Sequence, residues 1–175
     1  MKHFKSILAM WGVISGLLVL VALVFFAYQF YFGNKVKINK ATTNDVRFVL
    51  NWPGLGEKKI QSVLNSYESA RSLTGDHLDA YEIQTSGISI EELQDTNTWT
   101  RGDKLNGILK EGVDLVNIFI HSDKFPWFPD EKTILSNQIY IYSWSILFHN
   151  KRAASAKIIF VKPSENKVYY ASVKS

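Results

Sequence analysis

The sequence predicts an α+β fold: an N-terminal transmembrane helix, then a two-layer domain with helices packed on an antiparallel sheet of about four strands. Three observations carry this. Residues 7–32 form an apolar run without a charge, residues 43–116 place apolar side chains mostly at helical spacing, and residues from Gln138 onward alternate with period two. The organisation that follows is a basic tail at 1–6, an anchor at 7–32, a polar stalk at 33–42 and a domain at 43–175.

In the first segment, 22 of 26 positions are hydrophobic. Trp11 to Phe30 holds 12 Leu, Ile, Val or Phe. Each favours insertion at a helix centre by about 0.3–0.6 kcal/mol, and no Asp, Lys or Arg opposes them. At about 1.5 Å per residue, such a stretch crosses the roughly 30 Å hydrocarbon layer. Trp11 at one end and Tyr28, Phe30, Tyr31 and Phe32 at the other are placed as interfacial aromatic belts. A cleaved signal peptide has an apolar core of about 7–15 residues and a small-residue cleavage site, whereas this run is longer and continues into Tyr-Gln-Phe-Tyr-Phe-Gly. The expected partner of residues 7–32 is therefore the lipid bilayer, crossed once. Lys2 and Lys5 precede the run and Lys35, Lys37, Lys40 and Arg47 follow it, so a literal count of Lys and Arg would put the domain in the cytoplasm. Long domains, however, translocate largely regardless of charge, and a short basic tail before an apolar run is the usual start of a signal anchor. The expectation is a cytoplasmic tail and a domain on the extracytoplasmic, periplasmic side of a bacterial inner membrane.

Beyond the stalk, Thr43, Asn44 and Asp45 are able to cap a helix bearing Val46, Val49 and Leu50, which Pro53-Gly54 would stop. Val46, Phe48, Leu50 and Trp52 also fit a strand. Ile60, Val63, Leu64, Tyr67 and Arg71 follow i, i+3, i+4, i+7 and i+11, which predicts a helix ending near Thr74-Gly75. A strand is expected over Leu78–Ser86, and Ser89-x-x-Glu92 is a capping box for a short helix. Leu105, Ile108, Leu109, Val113 and Val116 define another helix starting near Asp103. In Gln138–His149, Tyr140, Tyr142, Trp144, Ile146 and Phe148 share one face, Ile139 and Ile141 the other. With Ala156–Lys162 and Val168–Val173 this gives an antiparallel meander.

Composition narrows the chemistry. Eleven Phe, 8 Tyr and 5 Trp against 4 Pro and 10 Gly exclude a disordered chain. The absence of Cys excludes disulfides, thiol nucleophiles and thiolate metal sites. The net charge of +4 is unevenly placed: residues 33–59 carry six positive and two negative side chains, residues 60–175 twelve and fourteen. The excess lies beside the anchor, where basic segments meet anionic headgroups. The rest supplies no basic face, so nucleic acid is not an expected partner.

Three constellations stand out. Trp52-Pro53-Gly54-Leu55-Gly56-Glu57-Lys58-Lys59-Ile60 resembles the hairpin of the helix-hairpin-helix DNA-binding motif, over about twenty residues. The resemblance implies a phosphate held by backbone N–H groups around Gly54 and Gly56, with Lys58 and Lys59 adding charge; bulky Ile60 stands where the motif has a small residue. His77-Leu-Asp79 and His121-Ser-Asp123 are His-x-Asp pairs, the first flanked by Asp76, and on a strand each pair shares a face. A hydrolytic metal site built on Asp76, His77 and Asp79 needs three protein ligands to converge; turns with capping Asp residues give the same pattern. Arg101-Gly102-Asp103 reads as a helix start. Phe125-Pro126-Trp127-Phe128-Pro129 is stiffened by two prolines; exposed, its rings are a binding hot spot, and folded back they are a lid on the sheet.

No catalytic elbow, Walker loop, zincin or dinucleotide motif is present in the sequence. The expected function is a membrane-anchored interaction module of the inhibitor or immunity type, meeting a protein partner through Phe125, Trp127 and Phe128 and needing no cofactor. The alternatives are a metal-dependent hydrolase using Asp76, His77 and Asp79, and a membrane-tethered DNA binder using the turn at 53–60.

Overall fold

The computed structural model describes residues 2–28, 34–95, 98–120 and 125–175. It divides into two compact units, Met1–Lys35 and Val36–Ser175. The first is helix α1, Lys2–Tyr28. Its stretch Trp11–Tyr28 has a mean hydropathy of 2.3 and no buried residue, so it is long and apolar enough to cross a membrane. Phe30, Tyr31 and Phe32, three of the five expected belt aromatics, lie outside the described residues.

The second unit is α+β. Its strands are β1 (Lys37–Ile38), β2 (Ile60–Glu68), β3 (His77–Thr85), β4 (Thr100–Arg101), β5 (Tyr140–His149), β6 (Arg152–Lys162) and β7 (Lys167–Lys174). The helices are α2 (Arg47–Asn51), α3 (Gly107–Ile120) and α4 (Glu131–Ile134). All seven strands join one antiparallel sheet in the order β1-β2-β3-β7-β6-β5-β4, in place of the four expected. The C-terminal meander β5-β6-β7 is as the alternation predicts, and β7 then pairs with β3 at the centre of the sheet.

The expected helix from Ile60 is strand β2, and its register explains the misleading spacing. Bulges fall between Ile60 and Ser62 and between Val63 and Asn65. Each inserts one residue, so Ile60 and Val63 face the same core three positions apart, while Gln61 and Leu64 point to solvent. A bulged strand thus imitates helical periodicity. In β5 a bulge between Ser143 and Ser145 has the opposite effect. It keeps Trp144 with Tyr140 and Tyr142 but sends Ile146 to the other face, against the single stripe expected.

The sheet is buried on both sides, so helices on one face alone do not describe it. One core holds Ile158 and Phe160 of β6 and Tyr169, Ala171 and Val173 of β7, under Val113, Val116 and Ile120 of α3. The other holds Ile159, Val161, Val168, Tyr170, Tyr81 and Ile83, under Val46, Val49 and Leu50 around α2, with Leu55, Ile88, Leu93 and Trp99. Helix α3 lies close on its sheet face because residue 112 is Gly: a Cβ there would stand 2.5 Å from Ile146 Cδ1. The capping box of Ser89 and Glu92 forms, with the Ser89 amide donating to Glu92 Oε2 at 2.9 Å and the Glu92 amide to Ser89 Oγ at 3.4 Å. Thr43–Asp45 supply no side-chain cap to α2; Asp45 instead accepts bonds from Thr42.

The proline-stiffened loop is a lid. Phe125 and Phe128 are 5% and 6% exposed, and Phe128 packs edge-on against Phe160 and Tyr169 at 5.6 and 5.4 Å. Trp127 is partly buried against both phenylalanines. The exposed hot spot expected at Phe125 and Phe128 is therefore not the placement observed, because closing the α3 core requires those rings. Arg101 and Asp103 bind each other at 2.6 and 2.9 Å around buried Gly102, so this tripeptide is internal structure.

Two substitutions check this packing. Phe128→Ala is expected to cost about 3–5 kcal/mol in chemical denaturation, and Trp127→Ala clearly less. A Cβ at Gly102 would meet the Ile134 carbonyl oxygen at 1.9 Å. Gly102→Ala is therefore expected to lower stability by about 1–3 kcal/mol, read as a fall in Tm.

Candidate functional site

On the sheet face under α2, side chains line up in rows across the strands. One row is apolar and aromatic: Tyr81 of β3, Tyr170 of β7 and Ile159 of β6. The adjacent row is polar: Glu68 of β2, Asp79 of β3, Ser172 of β7 and Lys157 of β6. Where cover from α2 ends, the two rows open into a cleft of about 320 Å³. Its apolar wall is Phe48, Trp52 and Tyr170; its polar wall is Arg71, Gly75, His77, Asp79, Lys157 and Ser172.

The apolar wall is held by ring contacts. Phe48 meets Trp52 at 4.5 Å and Tyr170 edge-on at 5.2 Å. Trp52 stacks on Trp144 at 4.6 Å with an interplanar angle of 10°, and Tyr81 stacks on Tyr170 at 5.6 Å. Trp52 reaches this place because Pro53-Gly54 ends α2, with Gly54 at φ +78°. Burial pushes the Tyr170 phenol up to about 12, against a smaller opposing effect of Ser172, so the hydroxyl stays neutral.

The polar wall is ordered by its own bonds. Arg71 donates to both oxygens of Asp79, at 2.8 and 2.7 Å, and that bond holds the guanidinium above its ordinary range. His77 Nδ1 is 2.8 Å from the Gly75 carbonyl, which only accepts, so Nδ1 carries the proton. In the neutral ring Nε2 then accepts from the Ser172 hydroxyl at 2.9 Å. A serine on an oriented imidazole is half of a nucleophile arrangement. However, Ser172 is 2% exposed and sits mid-strand between Asp79 and Lys157, where both flanking ladders engage the backbone that would hold an oxyanion. The pair orders the cleft wall. Half-buried Lys157 makes no hydrogen bond or ion pair among the described residues. Arg71 and Asp79 offset each other in the cleft, and Lys157 adds a positive charge to its lining.

The sequence-derived sites fare differently. His77 and Asp79 share a face and line the cleft, as two residues apart on a strand must. They do not form a ligand set with Asp76. Both ring nitrogens and both Asp79 oxygens are occupied, while Asp76 binds Thr74 and Ser72 in the preceding turn. Among the described residues no group of three His, Asp or Glu is placed to hold a metal. His121 and Asp123 lie outside the described residues.

The hairpin at 53–60 is corrected more plainly. Gly54 and Gly56 adopt positive φ, but the turn leads into a 3-10 turn, Glu57–Lys59, and then into β2, with no second helix. Its N–H groups are already used: Gly54 donates to Asn51 O, Leu55 and Gly56 to Leu50 O, and Glu57 to Asn51 Oδ1. Lys59 pairs with Glu92. No phosphate cradle remains. Arg71, Lys157, Ser172, Phe48 and Trp52 were not legible as site residues. The available signal was Lys157, a lone charge inside the apolar strand Ala-Ser-Ala-Lys-Ile-Ile-Phe.

Compared with known proteins, the chain matches no family model, no curated protein and no solved structure.

Removing Arg71 leaves Asp79, 7% exposed, without its fork. Arg71→Ala is expected to lower stability by about 1–3 kcal/mol, with Arg71→Lys recovering part of it, as measured by denaturant unfolding.

Proposed function

We propose that this chain is a single-pass membrane-anchored binding module. Its domain lies on the extracytoplasmic side and its cleft receives an anionic group with an adjoining apolar body, such as a carboxylate and neighbouring ring of a protein partner. Lys157 carries the reading. Its half-buried side chain sets an ammonium without a protein partner among the described residues beside an aromatic wall, where an anion would pair with it. Ser172 and the fixed Arg71–Asp79 fork flank that position with ordered hydrogen-bonding groups, and Phe48 and Trp52 offer surface to the apolar part. Such a division, a few placed polar groups on an apolar wall, is that of ligand clefts in general. The inhibitor or immunity type fits a module held where its partner must pass. The length and hydropathy of α1 support the anchor, and the short basic segment with Lys2 and Lys5 ahead of its apolar run, as in a signal anchor, supports the orientation.

Placement is tested by alkaline carbonate extraction and by protease added to spheroplasts. The full-length chain should remain in the membrane pellet and its domain should be digested. Release of a shortened chain would mean a cleaved signal sequence, and a protected domain would reverse the orientation. The cleft is tested with the full chain in zwitterionic nanodiscs, titrated with phenylacetate and with phenylacetamide. The carboxylate should bind and the amide should not, and salt should weaken binding. Lys157→Ala should cost about 2 kcal/mol or more, roughly thirtyfold in Kd. Equal binding of acid and amide would remove the anionic reading.

A further inference from the structure

Strand β5 has β6 along its whole length on one side, but on the other β4 meets it only at Tyr140 and Ile141. From residue 142 to 149 it is an open sheet edge among the described residues, with outward N–H and C=O groups and no strand beside them. It carries neither a charge nor a proline to resist pairing. Residues 140–148, Tyr-Ile-Tyr-Ser-Trp-Ser-Ile-Leu-Phe, contain no charge and no proline. Trp144, Leu147 and Phe148 are 49%, 63% and 40% exposed. Two bulges twist the strand without adding a charge. The other end of the sheet is guarded differently: β1 covers the end of β2, Lys37 pairs with Glu68, and Asn39 and Ala41 are tied to Ser66.

We propose that the β5 edges of two copies of this chain pair antiparallel about a two-fold axis. Unpaired backbone groups select an extended strand as the occupant. The lack of charge fits the same strand, because a two-fold antiparallel pairing sets one set of side chains against itself, residue i opposite residue j and j opposite i, and like charges near the axis would repel. Helix α1 adds a second reason for a like partner. Gly12-x-x-x-Gly16 is the spacing by which identical membrane helices approach closely. The edge pairing does not depend on the cleft and its ligand.

The chain has no cysteine, so single cysteines report the pairing cleanly. Full-length Ser143→Cys, Ser145→Cys and Leu147→Cys chains, oxidised in native membranes, should give disulfide-linked dimers, strongest at one position and weaker on either side. Gln61→Cys, on the open stretch of β2, should stay monomeric. Leu147→Lys, added to the Ser143 or Ser145 cysteine, should abolish the cross-link while circular dichroism and Tm stay unchanged. Monomers at every β5 position would overturn the proposal. So would equal cross-linking at Gln61, or cross-linking that Leu147→Lys leaves intact.

Discussion

Tyr169 and Tyr170 are neighbours on β7, yet their rings enter different hydrophobic cores. The same holds for Ile158 and Ile159 and for Phe160 and Val161 on β6. Two adjacent strands apolar on both sides must be covered on both sides, and the rest of the domain answers that requirement. One face takes the long helix α3, set close by Gly112, with the proline-stiffened lid closing its end. The other receives only the five residues of α2 and a set of loops.

That unequal cover creates the cleft. The short helix protects the aromatic row but stops, at Pro53-Gly54, before the row of Glu68, Asp79, Ser172 and Lys157. Polar groups so near a core persist where they are satisfied. Asp79 is satisfied by Arg71, and Ser172 by His77, whose ring is fixed in turn by the Gly75 carbonyl. Lys157 is the exception, which is why the functional reading turns on it.

The same economy accounts for the glycines of the 53–60 turn. Gly54 and Gly56 let the chain reverse from α2 into β2, and the reversal consumes the very N–H groups that a phosphate would have needed. A short motif resembling a binding hairpin is here a backbone that binds itself. In the 71–79 segment, likewise, the His-x-Asp spacing puts imidazole and carboxylate on one face. Each then turns to a different neighbour, Asp79 to Arg71 of the β2–β3 loop and His77 to the Gly75 carbonyl and Ser172.

Some features follow from composition and order along the chain alone, because they need only neighbours in sequence. These are the apolar N-terminal helix, the α+β class, the capping box at Ser89, helix α3 and the C-terminal meander. Tertiary structure decided what depends on strand pairing. Strand β2 reads as a helix because two bulges convert a period of two into a spacing of three, and only the partner strand β3 fixes where bulges fall. The number of strands was hidden because β1 and β4 are two residues long and exist only by pairing. The cleft was hidden because Arg71, Lys157 and Ser172 come from three separate segments of the chain. Each is an ordinary residue in sequence; the cross-strand register beside Asp79 makes them a site.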